Sequence, residues 1–254
     1  MLDAGTLPPW QLVGLAFGVA FLYSSVGFGG GSGYLAAMSL FAIATQLIAS
    51  TALTLNILVA SIAFITYWRS GHFDASLLWP FLVTSVPAAF VGGYFPVPDR
   101  LYLGLLYLAL AYVGVQLLLW DRTARSTAPT TRASWPLILG SGLLIGLLSG
   151  MVGLGGGIFL SPLIILMGWG TPKQAAASSA GFIVVNSASG LLGRILGGTF
   201  LLGVLGATLL PVGFAGALIG SRLGARYLSG TFLRRVLGII LLLTVISFVY
   251  QAIY

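Results

Sequence analysis

Gly27-Phe-Gly-Gly-Gly-Ser-Gly-Tyr34 and Gly153-Leu-Gly-Gly-Gly-Ile-Phe-Leu160 are two copies of one glycine-rich pattern, 126 residues apart. Each interrupts an apolar block too long for a single membrane crossing, residues 10–43 and 136–168. A straight helix of about 34 residues would run about 51 Å, against a hydrocarbon core of about 30 Å. Consecutive glycines are also costly inside a helix, at ~1 kcal/mol each relative to alanine. Each block therefore reads as a hairpin, with one arm entering, a glycine tip, and a second arm returning.

The rest of the composition agrees with a bilayer as solvent. Of 254 residues, 58% are hydrophobic and 6% charged, and the mean hydropathy is +1.07. Soluble domains carry roughly 25% charged residues. Continuous apolar runs of about twenty residues point to helices; a barrel would show alternating segments of roughly ten. The expected fold class is thus all-α, a polytopic helical membrane protein. A soluble enzyme, a nucleic-acid binder and a secreted disulfide module are excluded. The formal charge of +7 sits between the apolar runs and reads as topology. With no cysteine there are neither disulfides nor thiolate metal sites. His72 lies in a polar turn and reads as structural. No Lys or Arg precedes Arg69, so the first apolar run is expected to stay in the mature protein.

Eight apolar blocks can be read: 10–43, 47–68, 76–95, 101–120, 136–168, 173–193, 200–221 and 235–254. The polar stretch Asp121–Ser134 divides them. The two halves match beyond the glycine motifs. Gln46-Leu-Ile-Ala-Ser-Thr51 aligns with Gln174-Ala-Ala-Ala-Ser-Ser179, and Gly92 with Gly220, both at an offset of 128. The expected organisation is a first transmembrane repeat over 1–120, a linker over 121–135 and a second repeat over 136–254. Each repeat should hold one glycine-tipped hairpin and about three further helices.

Charge decides the relative orientation. If each long block crossed once, the basic residues would divide five against six. If each returns to its own side, Arg100 and Arg194 lie on one side and the other nine basic residues opposite, as the positive-inside rule requires. This predicts inverted repeats, both termini outside, and a cytoplasmic linker.

In such a pair the two tips approach each other near the midplane. Broken backbone is tolerated there only where protein or a water-filled cavity satisfies it. A helix starting at a glycine tip offers free N–H groups and a partial positive charge to a small anion. Candidate binding residues are Gly29, Gly30, Gly31 and Ser32 in the first tip, and Gly155, Gly156 and Gly157 in the second. Ser161-Pro162 reads as an N-cap and N1 proline. That reading starts the second returning helix there and leaves Gly155–Leu160 extended. Hydroxyls on the following helices add neutral donors: Ser50 and Thr54, which share a face with Ser61, then Ser178, Ser179 and Asn186, with Ser189 near by. At ~100° per residue Asn56 falls nearly opposite the Ser50 face. The plainer role for any one hydroxyl is an interhelical hydrogen bond, often worth under ~1 kcal/mol. Arg194 ends an apolar run and either snorkels to the interface or gathers anions at the outer mouth.

All four acids, Asp3, Asp74, Asp99 and Asp121, lie in loops or at termini. A proton or sodium relay through intramembrane carboxylates is therefore poorly supported. Nor is there a buried constellation to activate a nucleophile, so catalysis, metal and cofactor are not expected. An interior-negative potential favours anion exit by about 2.3 kcal/mol per charge per 100 mV. The residues thus suit anion export. Membrane lipids are the other expected partner, and a homo-oligomer is compatible with the composition.

Ser25-Val-Gly-Phe-Gly-Gly-Gly-Ser-Gly33, Ser149-Gly-Met-Val-Gly-Leu-Gly-Gly-Gly157 and Thr171-Pro-Lys-Gln-Ala-Ala-Ala-Ser-Ser179 together resemble the duplicated signature of the TauE/SafE sulfite exporter family. The resemblance covers nearly the whole chain. It implies an inner-membrane permease for small sulfur-containing anions such as sulfite, sulfoacetate or other organosulfonates, with Gly29–Gly31 and Gly155–Gly157 at its site. The copies differ where Phe28 stands against Leu154 and Ser32 against Ile158. The alternative is an exporter of neutral or cationic metabolites of the drug/metabolite-transporter type.

Overall fold

The computed structural model describes residues 7–25, 28–41, 43–119 and 134–224, with four further positions at 239, 242, 245 and 246. Among the described residues there are nine helices and no strand: α1 (Trp10–Ser25), α2 (Gly31–Leu40), α3 (Thr45–Arg69), α4 (Ala75–Tyr94), α5 (Asp99–Leu119), α6 (Trp135–Val152), α7 (Gly157–Leu166), α8 (Pro172–Leu196) and α9 (Gly203–Gly224). Most of the polar linker, and the eighth apolar block apart from those four positions, lie outside the described residues.

The expected breaks are present. Both long apolar blocks stop being helical at their glycine motifs, and each resumes as a helix of 10 residues. A helix of 25 residues follows in both halves. Five helices are long and apolar enough to cross a bilayer, namely α3, α4, α6, α8 and α9. Large apolar side chains such as Trp68, Trp79, Leu108, Tyr112, Leu143 and Leu144 are exposed on the outside of the bundle. That suits a protein whose outer surface meets lipid. The chain is a multi-pass membrane protein.

Helix starts follow local chemistry. Asp74 caps α4 by accepting from the Ser76 backbone N–H at 2.9 Å. Thr171-Pro172-Lys173-Gln174 forms a capping box with proline in the first turn of α8. The second returning helix corrects the sequence reading. It starts at Gly157, with Gly156 as N-cap, so Ile158–Leu160 are helical and Pro162 lies inside the helix. Gly156 supplies the left-handed turn that a serine cap would have had to replace. Pro162 removes the donor that would have reached the Ile158 carbonyl, and its ring crowds that carbonyl.

Glycine sets the packing between the halves. A methyl added at Gly142, Gly146 or Gly150 of α6 would strike the backbone carbonyl of Phe81, Ser85 or Ala89 of α4. Both series step by four residues in the same direction, so α4 and α6 run parallel with their backbones in contact. Gly216 and Gly220 of α9 lie in the same way on the carbonyls of Phe17 and Phe21 of α1. The first arm of each hairpin block therefore packs on the fourth helix of the opposite half. Gly92 rests on the Leu147 carbonyl and Gly220 on that of Phe21, so glycines 128 residues apart meet carbonyls 126 apart. In contrast, α3 and α8 are antiparallel: Gly190 lies by Leu53, and Gly181 by Phe64.

Close backbone approach of this kind substitutes for a hydrophobic driving force that lipid does not provide. Gly150→Ala should therefore push α4 from α6 and destabilise the protein by about 1–3 kcal/mol. Gly140→Ala, on the same helix with open space around it, should instead stabilise by up to about 1 kcal/mol. Thermal unfolding of the two variants in one detergent checks the contrast.

Candidate functional site

The two glycine tips meet. A methyl on Gly31 would lie 2.5 Å from the Leu154 carbonyl oxygen. Gly29 and Gly155 press on the same pair of side chains. A methyl on Gly29 would be 3.1 Å from Asn56 Oδ1 and 3.0 Å from Ile183 Cγ2, and one on Gly155 would be 2.9 Å from Asn56 Nδ2 and from Ile183 Cγ2. Asn56 and Ile183 each stand one residue before the centre of a 25-residue helix. The meeting point is thus about 18 Å along either helix, half the depth of the bundle.

Glycine is required here by backbone shape as well as by space. Gly30 and Gly156, the N-caps of α2 and α7, have φ of 93° and 77°, and Gly155 has 74°. Side chains are rarely tolerated in this left-handed region. Neither cap residue supplies a side-chain acceptor, so the first turns of both helices present N–H groups without a side-chain cap. The first return is pinned by a 2.7 Å hydrogen bond between Tyr23 and Ser32.

The end of α6 poses the opposite problem, a run of carbonyls without helical partners. Side chains from three other helices take them in order. Arg194 Nη2 of α8 donates to Gly150 O at 3.2 Å and Met151 O at 2.7 Å. Tyr102 of α5 donates to Val152 O at 3.1 Å, and Asn56 Nδ2 of α3 to Gly153 O at 3.2 Å. A cation at a helix C-terminus also meets the negative end of the helix dipole.

Several polar atoms around the tips have no partner. Asn56 Oδ1 and the hydroxyls of Tyr34, Ser179 and Ser187 are buried and unbonded. Tyr34 lies against Gly30, and Ser187 Oγ would be 3.0 Å from a methyl on Gly155. The Ser178 hydroxyl and Asn186 Oδ1 are likewise buried without a partner, while Asn186 Nδ2 donates to Phe182 O in its own helix.

Of the six predicted tip glycines, Gly29, Gly31, Gly155 and Gly157 converge on Asn56 and Ile183, with the Ser179 carbonyl beside Gly157, whereas Gly30 faces Tyr34 and Gly156 faces Ile145 and Phe182. Ser50 and Thr54 do not join them. Ser50 Oγ accepts from the Leu201 N–H, and Thr54 donates back to the Ser50 carbonyl. Ser61 bonds to its own helix, and Ser189 to Val86 O of α4. The face of α3 turned to the tips carries Ala49, Asn56 and Ala60, so the helix is rotated away from its hydroxyl stripe. Asn56, Ser187, Tyr34 and Tyr102 were missed. A small-residue stripe with one amide in it was the available signal for Asn56, since small residues mark close helix contact. Arg194 does not snorkel to the interface. It is 7% exposed and turned inward, because the α6 carbonyls are nearer acceptors than bulk water.

Broken helices that meet at mid-depth in a multi-pass helical protein are a recurring feature of membrane transporters. The family described as "Sulfite exporter TauE/SafE" matches residues 12–248. The chain is also 36% identical over 220 residues to the "Probable membrane transporter protein y4hK" of Sinorhizobium fredii (strain NBRC 101917 / NGR234), covering 84% of this chain and 89% of that one. No solved structure matches. The chain belongs to the TauE/SafE sulfite exporter family, and it is a membrane transporter rather than an enzyme.

Replacing Tyr102 by Phe strands the Val152 carbonyl in a buried setting. It should cost about 1–3 kcal/mol. Thr54→Val, which loses only a bond within its own helix, should cost well under that. Thermal midpoints of the two variants check which hydroxyls hold the break.

Proposed function

We propose that this transporter exports small sulfur-containing anions, such as sulfite, sulfoacetate or other organosulfonates, through a site at the paired glycine tips. The observation that carries the reading is the set of unpartnered polar atoms where the tips meet. A permanently dry scaffold would leave Asn56 Oδ1 and the Tyr34, Ser179 and Ser187 hydroxyls unsatisfied, at about 1–3 kcal/mol for each. A site that opens to water and takes an anion has a use for them. Three hydroxyls and the N–H groups at the starts of α2 and α7 are neutral donors of the kind that bind an oxoanion and then release it. The close packing of the tips corresponds to a state with the site shut, and separation of the two tips admits the anion from one side or the other.

The architecture in this reading is two inverted repeats, 1–120 and 136–254, joined by a cytoplasmic linker over 121–135, in the inner membrane with both termini outside. The antiparallel run of α3 against α8, the third helices of the two halves, supports the inversion, as do the reciprocal α1–α9 and α4–α6 pairings. The family match supports sulfur anions over neutral or cationic metabolites. The anion leaves down an interior-negative potential.

Flux of labelled sulfite and of a sulfonate from proteoliposomes, with the potential clamped at several values, tests the proposal. Saturable, potential-dependent efflux is expected. Gly30→Leu and Gly156→Leu should abolish it while membrane insertion persists, and Ser187→Ala should lower it about tenfold through loss of one donor. Absence of flux for every sulfur anion would move neutral metabolites to first place. Unchanged flux in both glycine variants would remove the tips as the site.

A further inference from the structure

Where α3 and α5 begin and α4 and α8 end, a small cavity of ≈ 50 Å³ reaches inward to Met151, two residues short of the second tip. Its lining includes Thr45, Asp99, Tyr102, Met151, Arg194 and Thr199. A single water needs roughly 10–15 Å³ on this measure, so the space suits a few waters or one small oxoanion.

The charge beside it is not balanced. Arg194 keeps its positive charge in proteins. Its Nη2 serves the Gly150 and Met151 carbonyls, whereas Nε is buried with no acceptor. The α6 C-terminus supplies only about half a negative charge. Capping alone does not call for a cation, since Tyr102 and Asn56 cap the next two carbonyls as neutral groups. Among the described residues the acids are Asp74 and Asp99. Asp99 lines the cavity but is exposed, and its Oδ1 accepts from the Thr45 hydroxyl at 2.6 Å. Its charge lies at the start of α5, where the helix dipole and water stabilise it.

We infer that this cavity is a second anion site, distinct from the tips, in which Arg194 holds a small oxoanion on its way to or from them. The inference rests on the anion reading above and adds a station to it. A mouth acid and an inner arginine give the site a sign. Asp99 opposes entry and Arg194 supports it.

The test is calorimetric binding of sulfite to the full chain purified in detergent, at low and high salt. Arg194→Gln should weaken binding about tenfold or more, whereas Arg194→Lys should lose less than the glutamine variant, because an ammonium can still meet the anion although it cannot reproduce the guanidinium fork. Asp99→Asn should tighten binding about two- to fivefold, an effect that fades as salt screens the mouth. Asp99→Asn and Arg194→Lys carry the test even if Arg194→Gln does not fold. Unchanged affinity in Asp99→Asn, or equal losses in the lysine and glutamine variants, would make Arg194 a cap alone and overturn the inference. Sulfite flux that responds to the tip glycines while binding ignores Asp99 and Arg194 would remove this cavity and leave the transport reading in place. The opposite pattern, a cavity response without flux, would remove the transport reading and leave the cavity.

Discussion

A helix that stops inside a bilayer leaves carbonyls with no water to accept from. At the end of α6 that demand is met by side chains of other helices. Gly150, Met151, Val152 and Gly153 receive Arg194, Tyr102 and Asn56 from α8, α5 and α3. Each buried carbonyl left alone would cost on the order of 1–3 kcal/mol. Four in a row would be comparable with the whole stability of many proteins, about 5–15 kcal/mol. The break at the second tip therefore exists only in the company of three other helices, and their positions are tied to it.

That dependence links fold and site. Asn56 both caps Gly153 and packs against Gly29, Gly31 and Gly155. Tyr102 and Arg194 fasten the same segment from the side on which the small cavity opens. The glycine contacts of α4 on α6 and of α9 on α1 then lock the first arm of each hairpin block to the opposite half. Motion of one tip against the other must pass through these contacts. In the proposed transport cycle, a backbone held by glycine packing and side-chain caps would shift as a unit between discrete positions.

Much of this was legible in the residues. The glycine motifs and the excess length of their blocks predicted where the helices break, and Gly92 and Gly220 were recognisable as equivalents before their carbonyl partners were known. Two readings did not survive. Ser161-Pro162 resembled a helix start, yet the left-handed glycine just before Gly157 did that work earlier in the chain. Ser50 and Thr54 formed the most conspicuous polar stripe on α3, yet the helix turns Ala49, Asn56 and Ala60 to the tips.

What the sequence by itself determined is the solvent, the helical class and the two break points. These follow from hydropathy and from the backbone cost of glycine, which are local properties read residue by residue. The rotation of α3, the inward turn of Arg194 and the convergence of Asn56 and Ile183 on both tips were decided by tertiary structure alone. In a helix that is apolar all round, every face is acceptable to lipid, so no contrast between an oily and a polar side selects the face that turns inward. That choice is made by steric fit at the glycines and by carbonyls in need of donors, and both come from other segments of the chain.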